Sequence, residues 1–247
     1  MPAELPYRDF LYPLNVFMHV LTREEGGVSY LHYGLFERPD ESIAAAQERS
    51  TKLLIDRLPP PPARILEVGI GLGTTLDRLT RLGYDAAGIT PDAKQVAMAR
   101  QRFGDAVRVE NVAFEQFVPR PFDTIVFQES SQYIDASSLF AKAKEIGDDI
   151  IVVDEFSTGE GALHRLDEFL QSAAANGYRL TEEVDLSTKA APTIDYFMQR
   201  LERYRPALIT DLALTNAQVD ELIASGALYR QRYLDGTYVY RLLRFRK

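Results

Sequence analysis

Three glycines spaced two apart, Gly69, Gly71 and Gly73, follow a strand-forming run in the segment from Ile65 to Thr75. Glycine lets a strand turn sharply into a helix while its backbone lies against a ligand, and such turns hold nucleoside-bearing molecules. Spacing separates two ligand classes. Dinucleotide sites favour G-x-G-x-x-G, whose last glycine lets the helix pack closely and whose helix N-terminus holds a pyrophosphate. Here the pattern is G-x-G-x-G, and Glu67 stands two residues before the first glycine. A carboxylate there repels phosphate and suits the ammonium of an amino-acid tail. That favours S-adenosylmethionine over NAD.

The elements around this turn alternate. Strands are predicted at Arg64 to Val68, Asp85 to Ile89, Val107 to Val112, Thr124 to Phe127, Asp149 to Val153, Tyr178 to Val184 and Tyr238 to Phe245. Helical patterns separate them at Thr74 to Leu82, Ala93 to Phe103, Ser137 to Ile146 and Ala162 to Asn176. This rhythm specifies a mostly parallel sheet with helices on both faces. Upstream, an aromatic-rich stretch from Pro6 to Glu37 reads as helical elements that cover a site, and a helix spans about Ser42 to Arg57. Pro59 to Pro62 then form a stiff connector. Residues 1–62 are thus expected to be a helical cover segment and 63–247 the core. Two helical patterns within a stretch of about 187–227 interrupt the last strands.

Ligands on such a sheet sit beyond the carboxyl ends of the strands. After the second strand come Thr90, Pro91 and Asp92, with Gln95 one helical turn on. Thr90 and Gln95 can grip ribose hydroxyls; the same residues also read as a helix cap, with Asp92 accepting from exposed backbone N–H groups. After the third strand, Phe114 can stack on adenine and Glu115 can accept from its exocyclic amine. Phe117 reads as core.

Composition narrows the function classes. The chain has 247 residues, no cysteine, a formal net charge of −8 and a pI near 5.0. Cysteine-free, it has no disulfide framework, thiolate metal site or cysteine nucleophile, and no metal-ligand spacing is seen. The acidic balance argues against a duplex nucleic-acid partner. With neither a leader pattern nor an apolar run long enough to span a bilayer, a cytoplasmic protein without integral membrane association is expected.

Taken in order and spacing, Glu67-x-Gly69-x-Gly71-x-Gly73, Gly88-Ile89-Thr90 with Gln95, and Ala113 to Phe117 followed by Phe122-Asp123 resemble the class I S-adenosylmethionine-dependent methyltransferases. Within that group the chain resembles the branch containing cyclopropane fatty acid synthases and small-molecule methyltransferases. His32 to Glu37 is similar to that branch's N-terminal aromatic-glycine segment, and the resemblance covers roughly Tyr30 to Phe156. It implies a Rossmann-like α/β fold, a mostly parallel seven-stranded sheet with an antiparallel last strand, plus N-terminal and late helical lid elements. It also implies that Tyr33 approaches the methionine end, Gly69 to Gly73 line its backbone, Thr90 and Gln95 take the ribose, Phe114 and Glu115 the adenine, and Gln128 the region near the sulfonium. S-adenosyl-L-methionine would be the cofactor and S-adenosyl-L-homocysteine the product. Cyclopropanating members carry an acidic residue where this chain has Gln132, which disfavours a lipid-modifying enzyme and favours simple methyl transfer.

Methyl transfer asks mainly for an aligned nucleophile and, where needed, removal of one proton. Candidate bases are His32, Glu129, Tyr133 and Asp154, while His19 and His164 lie in helical patterns and read as structural. Acceptor recognition is expected from the N-terminal aromatic segment and from Pro192 to Arg205, with Tyr30, Tyr33, Tyr133 and Tyr196 orienting a small organic acceptor. By analogy such an enzyme belongs to secondary metabolism, and a nonenzymatic adenosyl-binding protein is the alternative from another class.

Overall fold

The computed structural model describes residues 5–38 and 40–247. In chain order the elements are α1 (Leu14–Glu25), α2 (Ile43–Ile55), β1 (Arg64–Val68), α3 (Thr74–Arg81), β2 (Asp85–Thr90), α4 (Ala93–Phe103), β3 (Val109–Asn111), β4 (Thr124–Gln128), α5 (Ala136–Ala143), β5 (Asp149–Ser157), α6 (Leu166–Ala175) and β6 (Arg179–Asp185). Four helices follow, α7 (Ser187–Ala190), α8 (Pro192–Arg203), α9 (Arg205–Leu212) and α10 (Asn216–Leu234), before β7 (Tyr238–Arg246).

One seven-stranded sheet has the order β3-β2-β1-β4-β5-β7-β6. The first five strands in that order pair in parallel, and β7 runs antiparallel to both β5 and β6. The central strands alternate faces residue by residue. Leu66, Val68, Ile125, Phe127, Ile150 and Val152 enter one apolar layer with Phe140 of α5 and Phe169 of α6. Their neighbours Ile65, Val126, Ile151 and Val153 enter the other with Leu54, Leu76 and Leu79. Strands buried on both faces read as continuous apolar runs, which is why β4 and β5 are so clear in the sequence. By contrast the edge strand β6 is largely exposed and acidic, and its Glu182 pairs with Arg57 at 2.7 Å. Charge on an edge strand opposes pairing with other chains.

Differences from the sequence reading that bear on the site fall at α6, at the inserted helices and in the aromatic stretch, and β5 runs on to Ser157 beyond the expected end at Val153. The predicted helix over Ala162 to Asn176 begins only at Leu166. His164 therefore lies in a loop, where its Nε2 sits 2.9 Å from the carbonyl oxygen of Ile134 and 3.1 Å from that of Ser131. The inserted helices continue to Leu234, beyond the expected limit near residue 227, because a Thr215–Gln218 capping box starts one long helix, α10. The aromatic stretch from Pro6 to Glu37 holds a single helix, α1, followed by an irregular strap from Val28 to Phe36. Val16 and Val20 of α1 share an apolar cluster with Leu201, Leu208, Leu214 and Val219, so the cover and the insertion pack as one layer. Among the described residues no helix is long and apolar enough to cross a membrane.

The glycine turn is packed from beneath by Gly88 of β2. A Cβ at that position would collide with the Ile70 side chain of the turn and lie 2.8 Å from Leu76 Cδ2. Overpacking of this kind costs about 1–3 kcal/mol. Gly88→Ala is therefore expected to lower unfolding free energy by about that amount in urea denaturation; an unchanged midpoint would show that Ile70 yields freely.

Candidate active site

The chain leaves β1 through three glycines in left-handed backbone, Gly69 (φ 79°), Gly71 (φ 51°) and Gly73 (φ 78°). A Cβ at Gly73 would lie 2.8 Å from Ala99 Cβ, and one at Gly69 would run into Ser130. Both the conformation and the close approach exclude other residues. Above the turn lies the strap. Thr74 Oγ1 donates to the Ser29 carbonyl, Gln47 Nε2 donates to the Tyr30 and His32 carbonyls, and the Gly34 N–H donates to Thr193 Oγ1 at 3.0 Å. Beneath the strap is a cavity of about 40 Å³, room for about one water, bounded by Ser29 to His32, Glu67, Gly69 to Leu72, Thr74, Thr75 and Gln128.

Two acceptors in this cavity lack partners. Glu67, 3% exposed, has no hydrogen bond to Oε2, and Gln128, whose Nε2 donates to Ser50 Oγ at 3.2 Å, has none to Oε1. Burial without a counter-charge pushes the Glu67 carboxyl up to about 8. Elsewhere the opposite holds: Arg49 grips Glu41 and draws its carboxyl down to about 2. An orphaned, buried carboxylate–amide pair fits a compact cation with several N–H donors, which is what the amino end of S-adenosylmethionine offers.

At the ends of β2 and β3, Thr90 Oγ1 donates to Gln95 Oε1 at 3.0 Å, so the two expected ribose ligands are adjacent. Asp92 caps α4, accepting from Lys94 N and Gln95 N, so the cap and the polar pair coexist. Asn111, absent from the sequence reading, joins them by donating from Nδ2 to the Thr90 carbonyl at 2.9 Å. Phe114 is corrected. Its ring is 2% exposed and packs edge-on against Phe127, at 5.3 Å between centroids, so it has no free face for adenine. Glu115 lies exposed beside it on the same short 3-10 turn.

His32 is corrected as a base. Its Nδ1 lies 2.9 Å from the Tyr33 carbonyl oxygen and its Nε2 3.0 Å from Thr51 Oγ1. A carbonyl only accepts, so Nδ1 carries the proton and the Thr51 hydroxyl donates to Nε2, leaving no free lone pair. Burial lowers its pKa to about 4, so the ring is neutral near pH 7. Tyr133 is 87% exposed and lies outside this small cavity, within the electrostatic reach of Asp154, Glu129 and Glu155. Of the expected acceptor tyrosines, Tyr30 lines the cavity and donates to Glu48 Oε2 at 2.8 Å. Tyr196 instead borders a separate open cleft of about 540 Å³ between Phe36, Glu37 and Glu41 on one side and α8 on the other.

Glu129 proves to be a junction. It has a left-handed backbone, φ 55°, directly after Gln128, a conformation that costs a non-glycine residue about 1–2 kcal/mol. Its Oε1 accepts from the Tyr33 N–H and from the Tyr240 hydroxyl, both at 2.6 Å. Tyr33 and Tyr240 lie parallel, 3° apart, with centroids 5.9 Å apart. Next to them Glu155 accepts from the Tyr233 hydroxyl at 2.6 Å, and Asp154 accepts from Ser131 N and Oγ. Burial raises all three carboxyls, Glu129 well above its usual range, Asp154 to about 6 and Glu155 to about 7. Tyr240 and Tyr233 were missed from sequence because the return of β7 and the end of α10 bring them in from the far end of the chain, and Glu155 was missed because β5 runs on past Val153 to Ser157.

Comparison with known proteins follows these features closely. The family profile described as mycolic acid cyclopropane synthetase matches residues 29–146, which span the strap, the glycine turn and β1 to β4. An uncharacterized methyltransferase of Geobacillus sp. (strain WCH70) is 27% identical over 139 residues, covering 53% of this chain and 63% of that protein. The match thus spans less than two thirds of the relative's length. The cyclopropane synthase MmaA2 from Mycobacterium tuberculosis superposes with a TM-score of 0.81 at 18% identity, covering 98% of this chain and 96% of that one. Mycolic acid cyclopropane synthase CmaA1, solved with S-adenosylhomocysteine (SAH) and CTAB, superposes at 0.80 and 18% identity over 100% and 99% of the two chains. At such identity the structural likeness is one of fold. Taken with the sequence match through the glycine turn and its downstream strands, it makes the chain similar to the class I S-adenosylmethionine-dependent methyltransferases.

Proposed function

We propose that the chain transfers a methyl group from S-adenosylmethionine to an oxygen, nitrogen or carbon of a small organic acceptor. The observation that carries this reading is the pair of unpartnered acceptors, Glu67 Oε2 and Gln128 Oε1, buried against a left-handed glycine turn at the β1–β4 switch point. Glu67 and Gln128 would hold the amino end of the cofactor, the turn its backbone, and Thr90 with Gln95 its ribose. Asn111 and Glu115 are the polar groups left for the adenine edge once Phe114 is committed to the core. Bound there, the cofactor supplies an already activated methyl group, so the protein's part is alignment, exclusion of water and acceptance of one proton. Because the cavity is small, admission of the cofactor requires the Ser29 to His32 strap to move.

Gln132 supports methyl transfer over ring formation on a lipid alkene. Its Nε2 donates to the Glu155 carbonyl and its Oε1 accepts from His164 N at 2.8 Å, so both ends of the side chain brace the loop. No acid stands at that position, and the amide that does is fully engaged.

Two experiments test the reading. With a free-protein pKa of about 8, Glu67 is mostly protonated near neutrality and must lose that proton to pair with an ammonium. Affinity for SAH should rise about tenfold per pH unit between pH 6 and 7.5 and level off above 8. Calorimetry at pH 7 in buffers of different ionisation enthalpy should show release of about one proton. Glu67→Gln should abolish both effects, and an affinity indifferent to pH in the native protein would remove Glu67 from the site. Separately, Gly71→Val places a side chain in the cavity, where even a Cβ would lie 3.6 Å from Leu31 Cδ1. Loss of binding and of labelled methyl transfer to an acceptor panel, with the circular dichroism of the native fold, is expected; retained binding would contradict the proposal.

A further inference from the structure

Two buried carboxylates, Glu67 and Asp154, and two half-buried ones, Glu129 and Glu155, stand along the carboxyl ends of β1, β4 and β5, and their electrostatic surroundings are unusual for this chain. Most acids here have a basic partner, as Asp149 has Arg244 at 2.6 Å and Glu24 has Arg200 at 3.4 Å. Among the described residues, Glu67, Glu129 and Glu155 have no Lys, Arg or His nitrogen within 4.0 Å, and Asp154 is held by backbone N–H groups and the Ser131 hydroxyl. Glu67 Oε2 and Gln128 Oε1, buried and unpartnered, show independently that this strand edge is built to receive donors. Glu67 accounts for one cation, the amino end of the cofactor. Glu129 and Glu155 remain, neutralised by no cation among the described residues and held instead by the hydroxyls of Tyr240 and Tyr233.

We propose that Glu129, held by the Tyr33 amide and the Tyr240 hydroxyl and backed by Glu155, makes the transfer point demand positive charge, so that the acceptor is an amine. This rests on the methyltransferase reading above. In methylation of a neutral amine the nitrogen lone pair forms the new C–N bond as the S–C bond breaks. Positive charge passes from sulfur to nitrogen, and the sulfur leaves as a neutral thioether. Once ionised, Glu129 favours the cation at both ends of that path and opposes an anionic oxygen nucleophile. Glu129 Oε2 is then placed to take the proton from the methylated nitrogen, leaving a neutral amine and a protonated carboxyl. Burial helps, because a carboxyl raised above its usual range is a stronger base.

The test uses ligands of known charge. S-adenosylmethionine (sulfonium), sinefungin (ammonium in place of sulfur) and SAH (neutral thioether) are titrated calorimetrically into the full chain, into Glu129→Gln and into Tyr240→Phe. Glu129→Gln keeps an oxygen that can accept from Tyr33 N and Tyr240 Oη, so its fold is retained. The native chain should bind both cations at least about tenfold more tightly than SAH. Glu129→Gln should lose most of that preference while holding SAH unchanged, and Tyr240→Phe should show a smaller loss. Equal affinities for the three ligands in the native chain would overturn the inference, as would a preference that survives Glu129→Gln. Failure to bind any of them would instead refute the methyltransferase reading itself. In parallel, labelled methyl transfer is read from pools of primary and secondary amines against pools of phenols and carboxylic acids. Transfer to amines is expected, and transfer confined to oxygen acceptors would overturn the assignment.

Discussion

Burying a carboxylate without a counter-ion is among the least favourable things a fold can do, and this chain does it at one strand edge. Unpaired burial costs several kcal/mol unless the group holds a proton or meets a cation. Glu67 sits on β1, where neighbouring Leu66 and Ile65 are fully buried. Its position follows from strand periodicity, so the acid cannot escape to solvent without breaking the sheet. The raised pKa is the thermodynamic record of that constraint. Between the ordinary carboxyl range near 4.5 and about 8 the native state holds a proton that the unfolded chain does not, so this residue's effect on stability worsens as pH rises through that window. A ligand that brings a cation removes the penalty.

The rest of the architecture keeps that site closed. The strap crosses the glycine turn and is tied to α2 through Gln47, to α3 through Thr74 and to α8 through Thr193. Cover and insertion share the cluster around Val16, Val20, Leu201 and Leu208, so the two parts that flank the site are braced against each other. Glu129 adds the tie to the sheet, with one oxygen joining Tyr33 of the strap to Tyr240 of β7. A single carboxylate thus links the cover, the end of β4 and the antiparallel return strand. Its left-handed backbone is what turns it toward both.

How much of this was legible in the sequence depended on how locally each feature is encoded. The glycine turn, its acid and the Thr90–Gln95 pair lie within short stretches whose conformations follow from residue type, and the structure has the left-handed turn and the Thr90–Gln95 hydrogen bond. The parallel order of the sheet was readable because strands buried on both faces leave continuous apolar runs. His32 was misread because its role is decided by Thr51, a helix away, and by its own neighbour's carbonyl. Phe114 was misread because nothing local distinguishes a ring that faces a ligand from one that meets Phe127 of the adjoining strand. The Glu129–Tyr240 contact spans 111 positions and has no spacing signature; only the antiparallel register of β7 against β5, which sets Tyr240 opposite Glu155, creates it.

The central claim is that the orphaned Glu67 carboxylate and the Gln128 amide oxygen are waiting for an ammonium. The most direct measurement is a crystal structure of the complex with S-adenosylhomocysteine. The account predicts the ligand's amino nitrogen within hydrogen-bond distance of Glu67 Oε2 and Gln128 Oε1, beneath a displaced Ser29 to His32 strap. A ligand bound with its amino end elsewhere, and Glu67 still without a partner, would contradict it.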